Sequence, residues 1–591
     1  MLVLSLIALL ACRHFCLKTP LLVDVMYAPV YLQCLLMSVA LWLVPATAMA
    51  QTLEPLPPEP VTPLPTPQPL PAPEELLPQR AVPPGLPAEG IDTPGTFVVS
   101  SFRVVGSSVF SEAELAAATA DFVGRPITFS ELFEARAAVT QLYGDAGYIS
   151  SGAFIPAEQL IDDGVVTIRV VEGGLEDIQI TGLNHLDPGY ISSRIEVSND
   201  APLNVSQLVE SLQLLQVNPL IESLSAELAS GTQTGGSILN LEVKEAPTVS
   251  GRVTLDNARS TTVWSFQRRA TVSIINLFGK GDSFLVSYGN TDGSDTWDLD
   301  YTIPLGPHNT SLAIDYSVTD SRIIEDAFDA LDIRSDSTNL AFTLRQPVIE
   351  TPTEELALAL ELDYRRSEST FQFGDTRLPL LTSGSDDGVT RIAAIRFSQE
   401  WTQREAREVL ALRSQLSLGT DWFDATRNSG DRPDGQFLSW QGQAQWVKVL
   451  DRNSLFLAKL TGQLSDGPLL SLEQFRLGGQ GSVRGYRQDQ ATTDNGVFAS
   501  VEMRLPLFEV PSLDSTVQIA PFVDYGLGWN NGGRADPDPN HLLSIGTGLL
   551  WQTSDRVTAR LDFGIPLIDP GDEGNSLQEA GILFSITGRL F

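Results

Sequence analysis

The sequence predicts a transmembrane β-barrel of 16 antiparallel strands, preceded by two small α/β units in tandem. Three observations predict it. The chain opens with a leader-like apolar segment, no later stretch approaches the roughly twenty consecutive apolar residues that a membrane-spanning helix requires, and residues 248–591 alternate apolar and polar side chains over sixteen segments. Only helices and closed barrels satisfy every backbone polar group in lipid, so a membrane protein without such helices must be a barrel.

Charge and cysteine content exclude several classes of function. The 591 residues carry 73 Asp and Glu against 38 Lys and Arg, a net charge of −35. Nucleic-acid binding needs a basic surface to neutralise phosphates, so we expect no nucleic-acid partner. Cys12, Cys16 and Cys34 are the only cysteines, so a chain that loses its first fifty residues has no disulfide or thiolate metal site. The histidines outside the leader lack metal-ligand spacing, and we expect no catalytic residue, metal or cofactor.

The first 95 residues predict export and a tether. Residues 1–50 are typical of a signal peptide, because the apolar run 32–44 has the length of a signal-peptide core and Ala48-Met49-Ala50 is a small-residue cleavage site. An N-terminal anchor is the alternative, and a redundant apolar run before this core indicates a translation start further downstream, near Met26. Residues 51–95 contain fifteen prolines. That composition favours extended polyproline, which builds no core, and predicts a periplasmic linker.

Residues 97–173 and 175–246 predict two copies of one α/β unit. In the first copy, Ser111 with Glu114 and Thr128 with Glu131 form capping boxes that open two helices, and Gly144 is expected to end the second. Alternating apolar residues predict strands before and after these helices. The order strand, helix, helix, strand, strand then recurs in the second copy.

Residues 248–591 predict the barrel itself, and connection lengths support it. Connections after even-numbered segments are short (278–281, 305–308, 451–452), whereas those after odd-numbered segments include 319–335, 367–387 and 527–540. Short periplasmic turns that alternate with long external loops are the rule for outer-membrane barrels. A soluble β-sandwich also alternates apolar and polar residues, but it does not predict this alternation of connection lengths.

The longest connection, residues 465–495, holds the most distinctive motif. It contains Arg476-Leu477-Gly478-Gly479-Gln480-Gly481-Ser482-Val483-Arg484-Gly485-Tyr486. A phosphate-binding loop is disfavoured, because no Lys-Ser/Thr pair and no helix follow it. Two strands later, alternation places Phe522, Asp524 and Gly526 on the inward face of the barrel, as it does Glu502 and Arg504 one strand earlier. A plain surface loop and water-facing carboxylates, among them Asp298, Asp300 and Asp562, are the simpler interpretations of these residues.

Taken together, the motifs over residues 97–591 resemble the two-partner secretion transporters, outer-membrane exporters in the superfamily of POTRA-bearing barrels. The first-POTRA pattern of that family is matched by Gly147, Tyr148, Pro156, Gln159, Gly164, Glu172 and Gly173. In the barrel, Val483, Arg484, Gly485 and Tyr486, then Glu502 with Arg504, then Phe522, Asp524 and Gly526 match its loop and strand signatures. Any one of these motifs alone would be weak, but their combination is specific.

The resemblance implies that the sixth external loop folds back into the lumen, where Arg484 pairs with Asp524. It also implies that the two POTRA units, POTRA 1 at 97–173 and POTRA 2 at 175–246, bind an unfolded exoprotein of the haemolysin or adhesin type in the periplasm. The barrel would then export, and could activate, that partner. Outer-membrane lipid surrounds such a barrel, and the barrel-assembly machinery inserts it. Some relatives plug the lumen with an N-terminal helix, which the proline-rich residues 51–95 cannot form along most of their length, since only 74–77 offer even one turn.

Three other functions remain as alternatives. An outer-membrane assembly insertase shares POTRA units and the Val-Arg-Gly-Tyr loop, but insertases generally carry more POTRA units than the two that fit before residue 248. A passive porin lacks periplasmic α/β units altogether. An enzyme is disfavoured, because no nucleophile elbow, paired acids or metal-ligand spacing stands out.

Overall fold

The computed structural model describes residues 95–591 except 158, 160–162, 200, 327, 452–453, 512–513, 554–555 and 572–573. The predicted signal peptide (1–50) and all but the last residue of the predicted linker (51–95) lie outside the described residues. Within the described part of the chain, no helix combines the length and the apolar character needed to cross a bilayer.

The first α/β unit packs two helices on a three-stranded sheet. Its elements are β1 (Phe97–Val98), β2 (Ser101–Val105), α1 (Glu112–Ala118), β3 (Pro126–Ile127), α2 (Phe129–Asp145), β4 (Gly152–Phe154) and β5 (Val165–Val171). The sheet order is β2-β5-β4, with β2 parallel to β5. Both capping boxes are present. Gly144 does not end α2: the helix runs on to Asp145, and the left-handed residue is Gly147, at φ +88°.

The second unit repeats this arrangement. It comprises β6 (Gly174–Thr181), α3 (Pro188–Ser198), α4 (Val205–Gln216), β7 (Ile221–Ser230) and β8 (Gly236–Glu245). Its sheet order, β6-β8-β7, has the same parallel pair and the same antiparallel neighbour as the first. Leu208, Leu212 and Leu215 lie on one face of α4 and are buried in the core of this unit.

Two matching positions show the repeat at atomic detail. Gly106 follows β2 and Gly182 follows β6, both at positive φ, and an added Cβ would lie 2.6 Å from Val170 O and 2.2 Å from Val243 O. Only glycine allows the two strands to approach this closely. Two residues after each of these valines, Glu172 accepts backbone N–H groups of the loop after β2, and Glu245 accepts those of the loop after β6.

Residues 249–589 form a closed antiparallel barrel of 16 strands. The strands are β9 (Val249–Asp256), β10 (Gln267–Ile275), β11 (Ser283–Asn290), β12 (Ser294–Pro304), β13 (Ser311–Arg322), β14 (Arg334–Glu350), β15 (Glu354–Phe373), β17 (Val389–Glu405), β18 (Glu408–Thr420), β19 (Leu438–Asp451), β20 (Ser454–Ser465), β23 (Asn495–Val510), β24 (Ser515–Trp529), β25 (His541–Thr553), β26 (Val557–Pro566) and β27 (Ile582–Arg589). Three short strands, β16 (Thr376–Pro379), β21 (Phe475–Leu477) and β22 (Ala491–Thr493), lie in external loops. Strand β27 pairs with β9 and closes the ring.

Side chains alternate between lipid and lumen as the sequence predicts. Outward residues such as Trp297, Phe342 and Leu362 are 53%, 41% and 49% exposed, whereas their neighbours along the strands point inward. Strands β14, β15 and β17 have 17, 20 and 17 residues, more than the roughly ten expected for a membrane crossing. Their periplasmic turns span only 351–353 and 406–407, so the additional residues extend the wall on the external side.

The second unit is attached to the periplasmic turns of the barrel. Asp187 donates its backbone N–H to Gly279 O in the β10–β11 turn, at 2.9 Å. Arg194 Nε donates to Asn309 Oδ1 in the β12–β13 turn, also at 2.9 Å, and its guanidinium stacks 3.5 Å from the Tyr190 ring. A Cβ at Gly281 would lie 2.3 Å from that ring. Helix α3 is thus seated on two turns that serve β10–β13.

Candidate functional site

The sixth external loop, residues 466–494 (loop 6), folds into the barrel. Its two limbs pair through β21 and β22. An apolar cluster fixes the loop against the wall. The buried members are Phe475, Leu477, Val483, Tyr486, Ala491, Phe498 and Leu542. The last two residues belong to β23 and β25, so the loop shares a hydrophobic core with the barrel.

Arg484 at the loop tip is held by Asp524 of β24. Its Nε lies 2.8 Å from Asp524 Oδ2 and its Nη2 lies 2.9 Å from Oδ1, which is the fork geometry of a bidentate pair. The backbone N–H of Arg484 also donates to Asp524, at 3.1 Å. The guanidinium stacks 3.5 Å from the centre of the Phe522 ring. Arg484 is 6% exposed and Asp524 is fully buried. The structure thus brings these two residues, both of which the sequence predicts as site residues, into one buried contact.

Further charged side chains surround this pair. Glu502 of β23 accepts from Arg484 Nη1 at 2.6 Å and from Arg504 Nε at 2.8 Å. Arg560 of β26 donates to Glu502 at 2.7 Å and to Asp562 at 2.5 Å. Three arginines therefore meet three carboxylates, and each buried charge has a partner of opposite sign, as a low-dielectric site requires. We call these six residues the tip latch.

Glycines make room for the tip. Gly485 has φ +95°, and it lies so close to Gly564 of β26 that a Cβ on Gly564 would be 2.6 Å from Gly485 N. A Cβ on Gly526 would lie 2.8 Å from both Val483 and Leu477. The hydroxyl of Tyr486 bonds to the backbone of Leu543 and Ile568. A Cβ at Gly526 would collide with side chains of the loop and one at Gly485 with the backbone of Gly564, which explains why Gly485 and Gly526 belong to the motifs.

Asp494 joins the two roots of loop 6 to the seventh external loop. This fully buried carboxylate accepts from the backbone N–H of Leu469 at 2.9 Å and of Asn531 at 2.8 Å, and it pairs with Arg534 at 2.7 Å. In the eighth loop, Gln578 accepts from the backbone N–H of Gln488. Loop 6 is therefore fixed at its roots as well as at its tip.

The predicted POTRA 1 residues support the fold of their unit and its junction with the next. Gly147 O accepts from Val205 N at 3.0 Å, and Gly173 O accepts from Leu203 N at 2.8 Å, so both glycines lie where the units meet. Gln159 pairs its side-chain amide with the backbone of Thr167 on β5. The remaining positions lie within the unit: Tyr148 packs on Tyr143, Gly164 has φ +74°, Pro156 lies in the connection after β4, and Glu172 holds the β2–α1 loop.

Glu172 and its surroundings predict a pH response of the first unit. Burial raises the pKa of Glu172, but hydrogen bonds from Ser108, Tyr143 and Val109 lower it more, so the pKa lies below its usual value. The pKa of Tyr143 is raised to about 12, first by burial. A carboxyl with a depressed folded-state pKa stabilises the fold above its unfolded pKa, about 4.3, and loses this effect as pH falls through the folded value.

We therefore expect Glu172→Gln to destabilise the first unit at pH 7 by about 1–3 kcal/mol, because the loop amides lose an ionised acceptor. Hydrogen exchange at the amides of Ser108 and Val109 in the full chain should speed up relative to the unsubstituted protein. The difference should shrink below about pH 4. Glu112→Gln on exposed α1 is the control. A difference that stays constant from pH 7 to acid would contradict the role of the charge.

Sequence reasoning missed several residues of the site. Asp562 was interpreted as lumen lining, yet it is fully buried beside Arg560. Gly564, Ser500 and Asp494 were not singled out. Arg560, Asp562 and Gly564 alternate with apolar residues along β26 and so share its inward face, which is the one local signal in the sequence that could indicate them. Among the described residues, no group of histidine, cysteine or carboxylate side chains is arranged to hold a metal ion.

Comparison with known families identifies both parts of the chain. A model described as haemolysin secretion/activation protein ShlB/FhaC/HecB matches residues 235–550. A second, described as POTRA domain, ShlB-type, matches residues 97–173. The first match runs from the second α/β unit into the barrel and includes loop 6, Glu502 and Asp524.

Individual relatives extend over most of the chain. The outer membrane transporter CdiB of Escherichia coli O6:K15:H31 (strain 536 / UPEC) is 26% identical over 80% of this chain and 79% of its own length. The heme/hemopexin transporter protein HuxB of Haemophilus influenzae (strain ATCC 51907 / DSM 11121 / KW20 / Rd) is 22% identical over 77% of this chain and 80% of its own. The solved structure of CdiB from Escherichia coli has the same fold, with a TM-score of 0.66 and 24% identity over 85% of this chain and 92% of that one.

Proposed function

Because the chain belongs to the family of haemolysin secretion/activation proteins ShlB, FhaC and HecB, we propose that it exports one partner exoprotein through the lumen of its barrel. It is an outer-membrane transporter for two-partner secretion exoproteins, and its POTRA region lies in the periplasm. The proposal depends chiefly on the seating of loop 6 in the lumen through Arg484 and Asp524. A loop held by ionic contacts that can be broken makes the pore conditional, as an exporter needs.

Both α/β units supply surfaces for an unfolded partner. We propose that residues 175–246 act as POTRA 2 beside the matched POTRA 1. In the described part of the chain, the outer edges of β2, β6 and β7 have no neighbouring strand, whereas the N–H of Ala153 on β4 already bonds to Thr140 Oγ1. An extended segment can add to such an edge through main-chain hydrogen bonds, which demand little of its sequence. This mode suits a partner that arrives unfolded.

The tip latch gives Arg484 a role in export. In our proposal, Arg484, Gly485, Tyr486 and Val483 seat loop 6 on Asp524, Phe522 and Gly526, and the seated tip is the conformation that is competent for export. Glu502 and Arg504 balance the charges of that state. Folding of the exoprotein outside the cell would supply the energy, and the barrel-assembly machinery would insert the barrel itself. The proposal assigns no catalytic step and no cofactor to the chain.

Depletion in cells tests the function against its nearest rivals. In a strain that lacks this chain, we expect loss of one large exoprotein from the medium and its restoration by the chain on a plasmid. The levels of other outer-membrane proteins should stay constant. General loss of these proteins would instead indicate an assembly insertase, and unchanged secretion would favour a passive porin.

A further inference from the structure

A second buried ion cluster lies in the lumen, on strands that the tip latch does not use. Arg396 of β17 is 5% exposed and pairs with the buried Asp363 of β15 at 2.5 Å. The same guanidinium donates to both carboxylate oxygens of Glu473, at 3.0 and 2.7 Å, and Arg365 Nη1 lies 3.4 Å from Glu473. Glu473 belongs to the first limb of loop 6, residues 466–477, which we call the outgoing limb. The cluster therefore ties that limb to β15 and β17.

Beside this limb, the lumen wall is lined with hydroxyl groups. Strand register aligns two rows across β12–β15. One row is Ser294, Ser321, Ser335 and Ser369, and the next is Thr296, Thr319, Ser337 and Ser367. The hydroxyls bond to one another, as in Thr296 with Thr319 at 3.1 Å and Ser337 with Ser367 at 3.0 Å. We call these two rows the hydroxyl wall.

A small cavity lies between loop 6 and two residues of the hydroxyl wall, Thr319 and Ser337. It is lined by Ser317, Thr319, Ser337, Asn339, Arg365 and Leu472, the last of which lies on the outgoing limb. The side-chain oxygen of Asn339 is buried without a hydrogen-bond partner in the described part of the chain. Such an acceptor is costly unless an N–H group bonds to it. The cavity therefore offers an N–H donor a ready partner.

The opposite side of loop 6 is closed more firmly. There the tip latch and the apolar cluster of Phe475, Leu477, Val483 and Tyr486 join the loop to β23–β26. A passage on that side would expose a hydrophobic core as well as breaking ion pairs. A passage beside the hydroxyl wall requires that Glu473 leave Arg396 and Arg365 and that Arg365 release Leu472 O. The apolar cluster of this limb, Leu469, Leu470 and Leu472 with Ile392, Ala394 and Phe437, joins it to β17 and the fifth external loop rather than to β12–β15.

We propose that the exported polypeptide passes as an extended chain between the outgoing limb of loop 6 and the hydroxyl wall, and that Glu473 closes this route. The inference rests on the proposed function and adds the surface that the partner follows. Hydroxyls both donate and accept, so they can bond to the backbone of any sequence. Their small side chains leave width for the passing residues, and their bonds to one another can be exchanged for bonds to a guest.

Single cysteines can test this route, because no cysteine follows Cys34 in the sequence. The full chain would carry Ser337→Cys, with its three N-terminal cysteines replaced by serine, in planar lipid bilayers under potassium chloride. We expect Glu473→Gln to raise the current several-fold. A bulky methanethiosulfonate reagent at Ser337→Cys should then reduce that current several-fold. The matched control is Gln443→Cys on β19, whose register with Arg413 and Thr461 places it on another part of the lumen face.

Every outcome of this experiment either supports or contradicts the proposed route and the closing role of Glu473. Equal block at both cysteines, or block at Gln443→Cys alone, would overturn the route, and an unchanged current in Glu473→Gln would overturn the closing role. Heat-modifiable migration on gels verifies that every variant forms a barrel. Partner secretion, measured separately in cells, keeps the two proposals distinct. If the chain secretes its partner and the label at Ser337→Cys changes neither current nor secretion, the proposed route is wrong and the proposed function stands.

Discussion

Arg484→Ala abolishes secretion of the partner exoprotein while the barrel still inserts into the outer membrane: this is the largest effect that we expect from a single substitution. Removal of the guanidinium leaves Asp524 and Glu502 buried without their central partner. Breaking a buried pair in this way costs about 3–5 kcal/mol, which is enough to unseat the tip. The measurements are the amount of exoprotein in the medium and the amount of heat-modifiable barrel in the outer membrane.

Two further variants show whether geometry or charge matters at Arg484. Arg484→Lys keeps the charge but lacks the planar fork that meets both oxygens of Asp524, so we expect it to secrete poorly as well. Arg432→Ala removes an exposed arginine from the fifth external loop and should secrete normally. Normal secretion by Arg484→Ala with full barrel levels would contradict the role of the tip latch.

Gly564→Ala should also block secretion, through shape rather than charge. The added Cβ would lie 2.6 Å from Gly485 N and 2.7 Å from Gly485 Cα, closer than nonbonded atoms approach. Because both contacts are with backbone, no side-chain rotation can relieve them. Loop 6 must then move away from the wall, and Arg484 loses its fork geometry with Asp524. Overpacking of this kind typically costs 1–3 kcal/mol.

The control for this prediction is Gly588→Ala on the neighbouring strand β27, where an added Cβ meets nothing within 4 Å. Both variants add one methyl group to a barrel glycine, so a general effect on strand stability would appear in both. We expect protease to cut loop 6 from outside the cell in Gly564→Ala and not in Gly588→Ala. Equal protection in the two variants would refute the steric argument.

Much of the fold could be predicted because period-2 alternation is local. The 16 strands and the two α/β units follow from residues that are close in sequence, as do both capping boxes at Ser111 and Thr128. Helix α2 shows the limit of such signals, because it passes Gly144 and ends only where Gly147 takes a left-handed conformation. The length of β14, β15 and β17 was also missed, since alternation continues where a strand leaves the membrane.

Alternation shows which residues face inward but not which of them meet. Glu473 and Arg396 are 77 residues apart, and Gly485 meets Gly564 across a similar distance in the chain. Their contact depends on how loop 6 crosses the lumen, which no local pattern encodes. A family resemblance predicts the pairing of Arg484 with Asp524, whereas Asp562 has no such signal, and the sequence alone indicates only a water-facing carboxylate there.

The seat of helix α3 on the barrel has a mechanical consequence. Arg194 holds the β12–β13 turn and Asp187 holds the β10–β11 turn. If the exported chain pulls on the second unit, helix α3 would therefore transmit this force to β10–β13. Strands β12 and β13 carry half of the hydroxyl wall. Tension on the exported chain would thus act directly on β12 and β13, the strands beside which that chain has to pass.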